Sequence, residues 1–168
     1  MSDSWVVDAS PVILLAKAGY LHLLDQSSSL LVPEAVAQEI EAGRDSDPAR
    51  RALVAGWGIR TSPRHIPEAI LEWGLGAGET SVLALVGEKP GRVAVLDDAA
   101  ARKCALSLGI PLIGTLAIVL RAKKAGLIPS VSGVVAALVR SGLRLDERTL
   151  RTALEQGVGE MWPPSLPA

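Results

Sequence analysis

The chain has 168 residues, 49% of them hydrophobic and 21% charged, enough apolar material for one compact domain and too ordinary a composition for wholesale disorder. Lys and Arg number 17 against 18 Asp and Glu, so the formal charge of −1 excludes a uniformly basic coat for nucleic acid while leaving room for a local basic patch. Aromatic residues are 3% with no Phe, which argues against a base-stacking platform, and one Cys with two His argues against an internal disulfide or a zinc cage.

The first segment, MSDSWVVDAS, has no basic leader and does not read as a signal peptide. Trp5–Val7 reads as a buried strand ending at Asp8. Ser10 is then placed to cap a helix with Pro11 at its first position and an apolar face of Val12, Leu15, Ala16 and Leu23. Leu30–Val32 is a second short strand, and Pro33 opens a helix over Glu34–Ala42 with Gly43 beyond its end. Asp45-Ser-Asp-Pro48 starts a helix over Ala49–Ala55, followed by an edge strand at Gly58–Thr61.

Gly76-Ala-Gly78 leads into a helix from Glu79 to Val86, and the turn Gly87–Gly91 precedes the clearest strand, Val93–Leu96. A helix to Leu108, a strand at Pro111–Ile113 and a helix over Thr115–Ala125 follow, then helices near Val131–Val139 and Glu147–Gln156. The longest uncharged run, Cys104–Leu120, is broken by Gly109, Pro111 and Gly114, and is shorter than the roughly 18 clean apolar residues of a spanning helix. The expectation is a cytoplasmic chain without membrane contact. Short apolar strands separated by helices fit parallel pairing with both faces covered. The predicted fold is therefore a three-layer α/β domain over residues 1–160, with a Pro-rich tail at 161–168.

Ligands of parallel sheets gather at the carboxyl ends of the strands. Asp8 ends one strand and Asp97-Asp98 another, so both reach one rim. Taken singly, Asp8 and Asp98 also suit helix N-caps. Glu39 lies beside the core-facing positions Val36 and Ile40 of its helix, although a solvent-facing Glu is common there. Glu79 sits in a first helical turn, where the macrodipole favours a carboxylate without further cause. Gathered together without a cation, such carboxylates would raise one another's pKa and destabilise the fold. Mg²⁺ or Mn²⁺, which prefers oxygen ligands, would relieve that repulsion and activate water against a phosphodiester.

Val6-Val-Asp-Ala-Ser10, Val32-Pro-Glu-Ala-Val-Ala-Gln-Glu39-Ile, Gly76-Ala-Gly-Glu79-Thr-Ser and Val95-Leu-Asp-Asp-Ala-Ala-Ala-Arg102 occur in that order. The set resembles PIN-domain proteins, in particular a PIN-like branch related to the toxins of VapBC toxin–antitoxin pairs, over roughly Trp5 to Ile128. The resemblance implies a parallel α/β fold that cuts RNA with Mg²⁺ or Mn²⁺ held by Asp8, Glu39, Glu79 and one of Asp97 or Asp98, with Asp98 slightly better aligned. Where many relatives carry Asp at the third acidic position, Glu79 stands here. Ser10 matches a small hydroxyl residue near the metal. Ser10, Thr115, Arg102, Lys103 and Arg121 form the expected nucleic-acid set, with Lys123 and Lys124 as further phosphate contacts; each basic residue also suits a solvated helix face. RNA, an antitoxin protein and further copies of the chain are the partners that this resemblance implies.

Four other readings can be set beside these residues. A PIN-like binding module without nuclease activity would keep the same acidic residues. A phosphotransfer receiver wants its acidic pair after the first strand and a late Lys, neither of which is present. No G-x-x-x-x-G-K-[ST] loop and no G-x-S-x-G elbow occur, which sets aside an ATP site and a serine hydrolase.

Overall fold

A computed structural model of the protein describes residues 3–162. Strand β1 (Ser4–Val7) carries Trp5, Val6 and Val7, all 0% exposed. Successive strand residues point to opposite faces, so three buried in a row require cover on both sides of the sheet. The remaining strands are β2 (Ser29–Pro33), β3 (Ile59–Thr61), β4 (Arg92–Val95) and β5 (Leu112–Ile113). They form one all-parallel sheet in the order β3-β2-β1-β4-β5. The three-layer α/β expectation holds.

The chain runs outward from β1 through β2 to β3, then returns across β1 to β4 and β5. The order therefore reverses between β1 and β4, which opens a crevice at their carboxyl ends. Val7 pairs with Val95, and the Asp8 amide donates to the Val95 carbonyl at 3.2 Å. Asp8 and the segment Leu96–Asp98 thus leave the sheet side by side.

Helix α1 (Ala9–Lys17) begins two residues before the expected Pro11, because β1 stops at Val7 and Asp8 takes the N-cap position. It also ends earlier: Gly19 at φ 81 breaks the helix, and Leu23 and His22 lie in a separate 3-10 helix, Leu21–Gln26. Helices α2 (Glu34–Glu41), α3 (Pro48–Val54) and the single turn α4 (Glu68–Leu71) follow. That turn was not anticipated, being too short to show a helical period.

Helices α5 (Ala77–Gly87), α6 (Ala99–Ser107) and α7 (Thr115–Lys124) flank β4 and β5 in sequence. Strand β4 ends at Val95 rather than at the expected Leu96, and this small difference matters below. Two last helices, α8 (Val131–Arg140) and α9 (Glu147–Val158), pack on each other and on α7.

Gly159, at φ 68, ends α9 and turns Glu160 back onto the start of α8. There its carboxylate accepts from the amides of Ser132 (2.8 Å) and Val131 (3.0 Å) and from the Ser130 hydroxyl (3.0 Å). This latch closes the last two helices on each other. Trp162 packs against the core, and the rest of the expected tail, residues 163–168, lies outside the described residues. No described helix is long and apolar enough to cross a membrane.

Candidate active site

Asp8 is the centre of the site because the sheet delivers it, buried to 5% exposure, to the crevice between β1 and β4. It occupies the N-cap position of α1 but makes no side-chain cap hydrogen bond. The capping role that would explain it blandly is therefore not the one it fills. Burial pushes its carboxyl up to about 7; the Ala9 amide offsets part of this, and repulsion from Glu79, Glu39 and Asp97 adds to it.

A cleft of about 410 Å³ opens beside Asp8, and Ser10, Glu39, Glu79, Asp97 and Asp98 all line it. The expected carboxylates are thus brought together from β1, α2, α5 and the β4–α6 connection. Gly78 explains how two of them meet. A Cβ built on Gly78 would lie 3.1 Å from Glu39 Oε2 and 3.3 Å from Asp8 Oδ1, so both carboxylates occupy the space that a side chain would take. Val36 of α2 stands 3.2 Å from the same point, which shows how closely α2 and α5 approach there.

The other three carboxylates are each held by a donor. The Gly76 amide donates to Glu79 Oε2 at 3.2 Å, and burial with repulsion from Asp98 and Glu39 raises the Glu79 pKa despite that bond. Asp98 accepts from the Ala101 amide at 2.9 Å and so caps α6, which leaves Oδ1 outside that bond. Asp97 accepts at Oδ1 from the Thr115 amide, 2.8 Å away, and at Oδ2 from the Thr115 hydroxyl. While the strand pleat holds, successive residues point to opposite faces, so only one of this pair could aim at the site. Both border the cleft because β4 has already ended at Val95, and the connection beyond it is free of the pleat. Asp97 is the one whose charge acts on Asp8, and Asp98 acts on Glu79.

This donor set is all oxygen and all acidic, which suits a hard divalent cation. Among the described residues, no three His, Cys, Asp or Glu side chains already close into a metal cage. The fit rests instead on Asp8, a buried carboxylate that makes no ion pair among the described residues and crowds against Glu39. An anion in that position calls for a cation, and Glu39 and Glu79 line the same cleft as further oxygen donors.

The expected nucleic-acid residues separate into different places. Ser10 is exposed on the cleft wall. Arg102 Nη1 donates to the Leu96 carbonyl at 2.9 Å, which holds the guanidinium beside Asp97. Thr115 is 0% exposed and spent on Asp97, so it supports a carboxylate and cannot touch RNA. Arg121 lies over the Trp5 ring, 5.3 Å from its centroid, well back along the sheet from the Asp8 end, and does not line the cleft. Lys123 bonds the Pro129 carbonyl and pairs with Glu160 at 3.7 Å, which makes it a structural residue. Lys103 is exposed on α6 and lines neither the acidic cleft nor its neighbour.

Two contributors were missed by reading the sequence. Gly78 leaves a trace there, since a glycine inside a first helical turn costs about 1 kcal/mol relative to Ala. Arg144, in the α8–α9 connection with Gly142 and Leu143, leaves none: it closes the cleft from a segment far along the chain.

A family model described as a PIN domain matches residues 4–159. The chain belongs to the PIN-domain family. The match runs from the first residue of β1 to the end of α9, so the acidic cleft and the last two helices all lie inside this PIN domain. The fold is thus of a nuclease type, and PIN domains typically work with divalent metals. No curated protein shows significant similarity to the chain.

Proposed function

We propose that this PIN domain is a Mg²⁺- or Mn²⁺-dependent endoribonuclease. The observation that carries the reading is Asp8: a buried, uncapped carboxylate at the strand-order reversal, pushed up to about 7 among Glu39, Glu79 and Asp97. Asp8 and Glu39 offer the oxygens least committed to the protein's own hydrogen bonds. Asp97, aligned by Thr115, and Asp98, aligned by Ala101, hold the opposite wall. These residues would hold a divalent ion, which would supply Lewis acidity to activate water and offset the phosphodiester charge. Arg144 draws the anionic strand to a rim that would otherwise repel it.

The test is cleavage of labelled single-stranded RNA with Mn²⁺ by the wild-type chain and by Asp8→Asn. Loss of cleavage in the variant with its fold retained supports the reading, and cleavage at the wild-type rate sinks it. We further propose that the protein works in the reducing cytoplasm, where its single thiol, Cys104, stays buried and protonated, and that it is the toxin of a pair with an antitoxin, as a self-associating chain.

One observation favours a second reading. The carboxylates do not already close on a single point. In a binding module they would stay apart, and Mn²⁺ would leave the melting temperature unmoved.

A further inference from the structure

Beside the acidic cleft lies a second one of about 320 Å³, and Asp97, Leu143 and Arg144 line both. Its chemistry is different. Leu116, Leu120 and Leu145, each half-buried, provide an apolar floor from α7 and the α8–α9 connection. Arg102 and Arg144 line it as well, Arg102 beside the shared wall at Asp97. Gly114 makes room for this arrangement: a Cβ there would come within 2.9 Å of Arg102 Nη1 and 3.2 Å of Asp97 Oδ1.

Neither arginine is consumed by the fold. Arg102 spends one N–H on the Leu96 carbonyl, which fixes the plane of the guanidinium and leaves its other donors for a ligand. Among the described residues neither Arg102 nor Arg144 forms an ion pair. Two guanidiniums beside an apolar floor match a ligand with a flat apolar face and an anionic group. The shared wall places that ligand next to the carboxylates.

We propose that this second cleft is a nucleotide subsite. It takes the base of a nucleotide flanking the scissile phosphodiester against Leu116, Leu120 and Leu145, and the phosphate of that nucleotide on Arg102 and Arg144. The inference rests on the ribonuclease reading of the acidic cleft. It adds that RNA crosses the rim over the α7 side, where the lining is mainly leucine and arginine. An acidic peptide would satisfy the arginines but leave the leucine floor without a matching face.

Two variants of the full chain test it. Arg144 is exposed in a connection, so Arg144→Ala removes a phosphate contact without disturbing the core. Ala117, partly exposed on the cleft lining, becomes an obstruction in Ala117→Phe. Cleavage kinetics with Mn²⁺ and a mixed-sequence single-stranded RNA are measured alongside binding of the same RNA in EDTA. Thiouridine cross-links are mapped on the wild-type chain.

Arg144→Ala should raise KM about five- to tenfold, hold kcat within about twofold and lower the salt slope of binding by about one. Ala117→Phe should raise KM similarly with no change in salt slope. Cross-links should fall in residues 114–120 and 143–149. Wild-type cleavage with KM unaltered in Ala117→Phe, or cross-links confined to other surfaces, overturns the subsite alone, because Arg144 also lines the acidic cleft whereas Ala117 lines the second cleft only. Displacement of the RNA by polyglutamate in the wild type but not in Arg144→Ala assigns the cleft to an acidic peptide and also overturns it. A wild-type chain that neither cleaves nor binds RNA overturns the subsite together with the ribonuclease reading.

Discussion

Asp8→Asn separates the cost of the acidic cleft from its use. In the folded, metal-free protein the Asp8 carboxyl is raised from 3.8 to about 7. Between those values the native state keeps a proton that the unfolded chain has released, so this group's contribution to stability is most favourable below pH 4 and falls as pH rises to about 7. Three pH units at 1.36 kcal/mol each make the ionised carboxylate cost about 4 kcal/mol at pH 8. Asn has nearly the same shape and no charge, and Glu79, raised as well, leaves only a smaller slope of the same sign. In EDTA at pH 8 the variant should therefore melt roughly 8–15 °C above the wild type, at about 2–4 °C per kcal/mol for a domain of this size. At pH 4 the two should melt together. Added Mn²⁺ should stabilise the wild type at pH 8 by about 2.7 kcal/mol at a hundredfold excess over Kd, seen as a higher melting temperature, and leave the variant unmoved. Thermal melts across pH 4–8, with EDTA and with Mn²⁺, measure all three effects. A wild type whose stability is flat over that range, or an Asn variant destabilised equally at every pH, would refute the reasoning.

Gly78→Ala places a methyl 3.1–3.3 Å from carboxylate oxygens of Glu39 and Asp8. It should cut Mn²⁺-dependent cleavage at least about tenfold, while the helix-propensity gain of about 1 kcal/mol keeps the melting temperature near that of the wild type. Thr115→Val removes the hydroxyl that holds Asp97 Oδ2 but keeps the amide bond to Oδ1, and orienting contacts of this kind are worth roughly 10–100-fold in metal affinity. Isothermal titration with Mn²⁺ should show a loss within that range. Burial pushes Glu160 up, but the amides of Ser132 and Val131 and the hydroxyls of Ser132 and Ser130 outweigh it and hold the carboxyl at about 2. Its stabilisation is full above pH 4.5 and is lost as pH falls through 2, so Glu160→Gln should cost about 1–2 kcal/mol at pH 7 in urea melts and progressively less in acid.

Much of the fold is legible in the chain itself because its signals are local. Apolar triplets such as Trp5–Val7 mark strands buried on both faces. Asp47, Asp98, Ser130 and Asp146 each cap a helix with a side chain. The acidic residues of the cleft were legible for a related reason: they stand at strand ends and first helical turns, where a parallel sheet collects its ligands. The errors were also local. Asp8, not Ser10, took the N-cap position of α1, and Leu23 fell beyond the Gly19 break, because hydrophobic spacing alone does not register a positive-φ residue.

What the tertiary structure alone decided is how those residues face one another. Strand order brings Asp8 beside the β4 exit, and the end of the pleat at Val95 lets Asp97 and Asp98 share a cleft. Thr115, 18 residues from Asp97, turns out to align a carboxylate rather than touch RNA. Arg121 withdraws to Trp5, while Arg144 arrives from the α8–α9 connection to close the rim. Strands, turns and caps are set by neighbours a few residues away, so their signals survive in one dimension. The direction of a side chain across a crevice depends on packing between distant segments, and only the folded chain brings those segments together.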